Sequence, residues 1–234
     1  MKYSAKTVNT YIRKVKAEIE GYRKQIAKGE FLAVCISKGN RKIGHVPNVS
    51  TAPIICCHNC RECKHCCYDI KACLRYKESM LARARNTALA LYNPDEYFSQ
   101  ILRYVSKIKS KFFRWHVGGD LLNYDYLLRV IEIAVAVRHV TFWLYTKNYE
   151  LVNRYIAENG NLPENLHIMF SEWDGTEMIN PYNQPEFSCR LSGGNKNHSD
   201  KYFEALYKCP GNCDECIRNC RGCVVGETAY VDEH

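Results

Sequence analysis

Apolar residues recur at Val8, Tyr11, Ile12, Val15, Ile19, Tyr22 and Ile26, three or four positions apart, and the run stops at Gly29. This spacing predicts an N-terminal amphipathic helix with one buried stripe, filling residues 1–29. The short apolar run "FLAVCIS" (Phe31 to Ser37) reads as a buried strand, and the basic, turn-forming residues 38–53 read as a long loop. "LRYKESMLARARNTALALY" (74–92) returns to the helical period, with Tyr76, Met80, Ala84, Ala88 and Leu91 on one face. Asn93 is the expected N-cap of the next helix, with Pro94 at its first position, Asp95 and Glu96 in its first turn, and apolar residues through Ile108.

From Lys111 the period drops to two. In "KFFRWHVGGD" Arg114, His116 and Gly118 alternate with Trp115 and Val117, which predicts a strand ending in a glycine turn. Asn123 caps a helix over 124–137, residues 139–147 form the next strand, 148–159 a helix closed by Gly160, and 165–173 a further strand. Strands alternating with helices at this spacing predict right-handed crossovers and a largely parallel sheet. The expected fold is therefore α/β, a barrel-like or open parallel core over residues 30–190. After Asp174 the alternation fades, and residues 191–234 read as a Cys-rich tail. No internal repeat or low-complexity segment interrupts the chain.

Charge modifies this picture at one end. The formal net charge is +8, and Lys2, Lys6, Arg13, Lys14, Lys16, Arg23, Lys24 and Lys28 face only Glu18 and Glu20 within the first helix. Such a face is either simply solvated or meets an acidic partner, nucleic acid or an anionic surface of a host protein. No window approaches the roughly 18–20 apolar residues of a membrane span. The N-terminus has no apolar run of the signal-peptide type, so a cytoplasmic, reducing location is the expectation.

The cysteines carry the candidate chemistry. Of fourteen in the chain, seven lie between Cys56 and Cys73 and five between Cys209 and Cys223, leaving Cys35 and Cys189 as isolated thiols suited to core packing. At 234 residues the chain can bury a hydrophobic core without disulfide staples. Clustering at this spacing points to metal. C-x2-C pairs such as Cys60/Cys63 and Cys63/Cys66 suit zinc, whereas thiolates spread along a loop suit an iron–sulfur cluster with one iron left open. Two triplets fit the second case: Cys56, Cys60 and Cys63, or Cys57, Cys63 and Cys67. The tail set of Cys209, Cys213, Cys216 and Cys220, with Cys223 beyond it, predicts a second zinc or iron–sulfur site, or ligands folding back to the first.

Functional groups of parallel α/β folds gather beyond the C-terminal strand ends. The cysteine loop, the Gly118-Gly119-Asp120 turn, Lys147 and Glu172 all follow predicted strands, so they are expected on one face. His116, Lys147 and Glu172 are the candidates to position a substrate.

A cysteine triplet after one strand and "GGD" after the next resemble the radical S-adenosylmethionine superfamily. That resemblance implies a [4Fe–4S] cluster on three cysteines, S-adenosylmethionine on its open iron, and contact of Gly118, Gly119 and Asp120 with the amino group. It further implies one-electron cleavage of the sulfonium to give a 5′-deoxyadenosyl radical. A closer resemblance, over most of residues 43–234, is to the phage gene product 88 family. It is carried by "VPNVSTAPIICCHNCRECKHCCYDIKA", "RWHVGGDLLNYDYLLRVIEIA", "FWLYTKN" and "CPGNCDEC", and its C-x5-C-x3-C-Tyr pattern implies Cys57, Cys63 and Cys67 with Tyr68. The alternative expectation is a non-enzymatic protein of phage type with structural metal sites that binds nucleic acid or a host protein.

Overall fold

The computed structural model describes residues 3–40, 43–57, 59–60, 62–175 and 177–233, the side chain of Glu62 excepted. Lys2 of the basic set and His58 of the cysteine segment therefore lie outside the described residues. The chain divides into two compact units that alternate along the sequence. The first comprises residues 1–37, 48–109 and 116–122; the second comprises 38–47, 110–115 and 123–234.

In the first unit, helix α1 (Ala5–Ala27) is capped by Ser4, whose hydroxyl accepts the Thr7 amide at 3.2 Å. Val8, Tyr11, Val15 and Ile19 form its buried stripe, as their spacing predicts, and Lys6, Arg13, Lys14, Lys16, Arg23, Lys24 and Lys28 are exposed. Short strands β1 (Ile36–Ser37) and β2 (Asn48–Val49) pair antiparallel. Helices α2 (Tyr68–Arg75), α3 (Lys77–Tyr92) and α4 (Pro94–Val105) follow. Tyr11, Val15 and Ile19 pack with Ile70, Cys73, Met80, Ala84 and Ala88 in one core, each large side chain contributing roughly 1.5–3 kcal/mol through burial.

Three local expectations change. Residues 31–35 form no strand, and Phe31 is 72 % exposed. Their backbone is satisfied by two amide side chains instead. Gln100 bonds Leu32 O and Val34 N at 2.9 and 2.7 Å, and Asn86 bonds Cys35 N and O at 2.8 and 2.9 Å. The helix expected over 74–92 is broken at Tyr76, extended at φ −123° and exposed, which lets α2 and α3 each turn a face to the α1 stripe. α4 ends at Val105, one turn short of Ile108.

In the second unit β3 (Phe112–Trp115), α5 (Tyr124–Ala136), β4 (Thr141–Thr146), α6 (Tyr149–Asn159) and β5 (Leu166–Ser171) form the expected alternation. The chain continues through β6 (Glu186–Arg190), α7 (Asp200–Glu204), β7 (Tyr207–Lys208), α8 (Cys213–Asn219) and β8 (Ala229–Asp232). The strand order is β3-β4-β5-β6-β8-β7, and these neighbours run parallel. Buried Phe113, Trp115, Phe142, Trp143, Leu144, Ile168, Met169 and Phe170 make its strands near-continuously apolar, as parallel strands covered on both faces must be. Asn123 caps α5 by accepting the Tyr126 amide at 2.8 Å. Asn165 closes the far end, its side-chain amide donating to the carbonyls of Ala134, Val137 and Val140. No described helix of either unit is long and apolar enough to cross a membrane.

Candidate metal centres

The cysteine loop and the Gly118–Asp120 turn meet within the first unit. Chain direction changes at His116, whose positive φ of 54° stops the extended run at Trp115. The His116 amide donates to Val49 O at 2.8 Å, and the Gly118 carbonyl accepts the Thr51 amide at 3.0 Å. The Gly118 amide donates to Ser50 Oγ at 3.2 Å. The turn is thus laced to the stretch leading into the cysteines. Its far side is held by α2, since the Tyr68 hydroxyl donates to Val117 O.

Both glycines are required by contact. A Cβ on Gly118 would overlap the Asp69 carboxylate, and one on Gly119, at φ 91°, would overlap Thr51 Oγ1. Asp69 cannot yield, because Arg83 Nε and Nη2 grip its two oxygens at 2.6 Å each. Gly118→Ala is therefore expected to cost about 1–3 kcal/mol from overpacking, read by denaturant unfolding.

The cysteines of the loop separate by environment. Cys56 is fully buried against Thr87, 3.7 Å away, and burial pushes its thiol up to about 11. Cys73 lies in the α1 core, its thiol likewise pushed up to about 12 by burial. Cys57, Cys60, Cys63 and Cys67 instead crowd one another. The sulfurs of Cys60 and Cys63 are 3.3 Å apart, and Cys60 also feels Cys57 and Cys67. Burial, then the Asp120 carboxylate, holds Cys57 well above the usual thiol range. Burial raises Cys67 to about 11, with Asp69 and Cys63 adding to it. Cys66 faces Tyr3. Cys56 differs from the rest in being fully buried, while Cys60 interacts with Cys63, Cys57 and Cys67.

Among the described residues, no three His, Cys, Asp or Glu side chains stand ready to hold a metal ion as they are. Loading would have to draw the sulfurs inward. The donor chemistry fits a thiophilic metal: four thiols from one loop, free of disulfides, beside a buried carboxylate, Asp120, whose Oδ1 accepts the Leu121 amide at 2.7 Å.

The other candidates take different places. His116 is buried, and burial lowers its imidazole to about 3, so it stays neutral across the physiological range. Lys147 and Glu172 belong to the second unit. Lys147 Nζ donates to Ser171 Oγ at 2.8 Å. Glu172 is buried and accepts Ser188 Oγ at 2.8 Å and Asn197 Nδ2 at 2.7 Å, with His198 Nε2 at 2.8 Å. His198 stacks on Tyr202 with ring centroids 3.7 Å apart. This Glu172–His198 network edges a shallow cavity of about 490 Å³. The sequence pattern missed it, because Asn197 and His198 sit in a stretch without periodicity. In the tail, Cys209, Cys213 and Cys216 come together, but Cys220 is exposed and ends α8 in the left-handed region, its sulfur directed to Ile217 O.

A family model described as Gene product 88 matches residues 16–199 of this chain. No curated protein and no solved structure matches it.

Proposed function

Because the chain belongs to the phage gene product 88 family, whose model spans residues 16–199 and so covers the cysteine loop and its glycine turn together, we propose that these two segments form one iron–sulfur site of the radical S-adenosylmethionine type. The observation that supports it is the gathering of Cys57, Cys60, Cys63 and Cys67 beside buried Asp120. Cys57, Cys63 and Cys67 are the ligands in this reading, and three thiolates on a four-iron cluster leave one iron without a protein ligand. When bound, such a cluster supplies a single electron to a ligand at that open iron.

The chain's own residues supply the rest. Asp120 is a carboxylate buried next to thiols that become anionic on loading, an arrangement that favours a cationic group between them. The ammonium and sulfonium of S-adenosylmethionine have that charge. Gly118 and Gly119 let the turn approach the cysteine loop at backbone distance, and Tyr68 and the Asp69–Arg83 pair hold it there. Since both glycines are also packing requirements, Asp120→Asn is the cleaner probe of ligand binding than Gly118→Ala.

Anaerobically purified protein is expected to carry about four irons with matching acid-labile sulfide, both lost in a Cys57→Ala, Cys63→Ala, Cys67→Ala variant. Asp120→Asn is expected to keep the iron and lose S-adenosylmethionine binding by calorimetry. Zinc without sulfide at this loop would sink the reading. A second reading stands ready for that result, favoured by the 3.3 Å approach of Cys60 and Cys63 across a C-x2-C step. It is a structural zinc loop in a non-enzymatic protein whose exposed α1 lysines meet nucleic acid or a host protein.

A further inference from the structure

We propose that the second unit holds a closed, four-thiolate zinc site made by Cys209, Cys213, Cys216 and Cys223, with Cys220 excluded from it. Sequence spacing favours Cys220, the nearer residue in the chain. The fold reverses that order. Cys220 ends α8 at φ 49° and stays on the surface, and the backbone then turns at Gly222, φ 67°, to bring Cys223 into the interior. Cys209 and Cys216 perturb each other's thiols, Cys223 lies within electrostatic reach of both Cys209 and Cys213, and Cys213 packs on the same apolar cluster as Cys216 and Cys223. Trp143, Met169, Val46 and Val224 enclose the group in one apolar cluster with Cys216 and Cys223.

The second observation concerns what reaches the sulfurs. Each of the four has a polar partner from a different residue. The Gly211 amide donates to Cys209 at 3.4 Å and Arg114 Nη1 to Cys213 at 3.7 Å. The Tyr207 hydroxyl is 3.7 Å from Cys216, and the Tyr145 hydroxyl donates to Cys223 at 2.8 Å. Arg114 also lies over the Tyr145 ring at 4.7 Å, which fixes both donors. Four neutral thiols in an apolar core need no such set. Four thiolates around a divalent ion carry a surplus of two negative charges, and one donor per sulfur plus a guanidinium is what offsets it.

Zinc is the metal this donor set suits, since four thiolates spaced C-x3-C-x2-C-x6-C can close a tetrahedral site with Zn–S of about 2.3 Å. The sulfurs do not stand at ligand positions in this structure, so loading would draw them together.

The test is metal content of the full-length protein, purified anaerobically, in wild type, Cys220→Ser and Cys223→Ser, with cobalt(II) substitution to read the thiolate count. The expectation is one zinc per chain in wild type and Cys220→Ser, its loss in Cys223→Ser, and unchanged iron in all three. A zinc content of Cys223→Ser equal to that of wild type, a lower one in Cys220→Ser, or iron and sulfide lost with Cys223 would each overturn it. Should Cys223→Ser fail to fold, Tyr145→Phe decides: zinc affinity is expected to fall about 10–100-fold, and an unchanged affinity counts against the site. The readout is the one zinc that depends on Cys223, so a zinc held by the cysteine loop of the first unit would be present in all three proteins and would cancel from the comparison.

Discussion

Between pH 7 and pH 4 the protein is expected to lose about 3 kcal/mol of stability through His116 alone. In the folded chain burial lowers this imidazole from 6.5 to about 3. Between those values the unfolded chain binds a proton that the folded one refuses, so the contribution is fully present above pH 6.5 and drains away as pH falls toward 3. The comparison to make is wild type against His116→Asn in denaturant titrations at pH 7 and pH 4. Asn tolerates the left-handed backbone at this position and carries no titrating group, so other acid-sensitive residues cancel. Parallel pH profiles for the two proteins would mean that the ring is protonated at no cost in the fold. The same neutrality makes His116 a poor acid or base at neutral pH, and a good anchor for the turn that follows it.

Arg83→Met is expected to cost about 3–5 kcal/mol, the loss typical of stripping the partner from a buried charge. Asp69 is buried beneath Gly118 and has both oxygens bound by the Arg83 guanidinium. Removing the arginine leaves that carboxylate uncompensated. The double variant Arg83→Met, Asp69→Asn is expected to recover much of the loss, since it removes the charge along with its partner. Denaturant unfolding of the two single variants and the double gives the coupling directly. A single-variant loss under about 1 kcal/mol, the range of exposed pairs, would show that Asp69 finds other cover. The pair links α2 to α3 behind the cysteine loop, so the same variants should also loosen iron binding if that loop holds it.

Much of this architecture is readable from residue order. The α1 stripe, the Asn123 cap and the apolar run of β4 are local patterns, and each appears in the fold where periodicity predicts it. The cysteine loop is expected to meet Gly118–Asp120 by following a strand at 31–37; the two do meet, but through bonds from residues 49–51 to the turn rather than through that strand. What escapes the sequence is settled by partners distant in the chain. Gln100 and Asn86 lie far along the chain, and they take the backbone bonds that a strand at 31–35 would have needed. His116 continues an alternating pattern, and only its φ reveals that the strand has already ended. Spacing puts Cys220 ahead of Cys223, and a left-handed helix end turns Cys220 outward.

The alternation of the two units along the chain has a consequence for the order in which the protein can be made. Residues 38–47, synthesised early, wait for a second unit whose bulk begins at residue 123. The first unit is complete only when 116–122 emerge, after β3 has already been delivered to the other. Neither half can finish on the ribosome before the other has begun. A break anywhere between residues 38 and 122 therefore leaves both halves short of a segment, and a clean truncation between them does not exist.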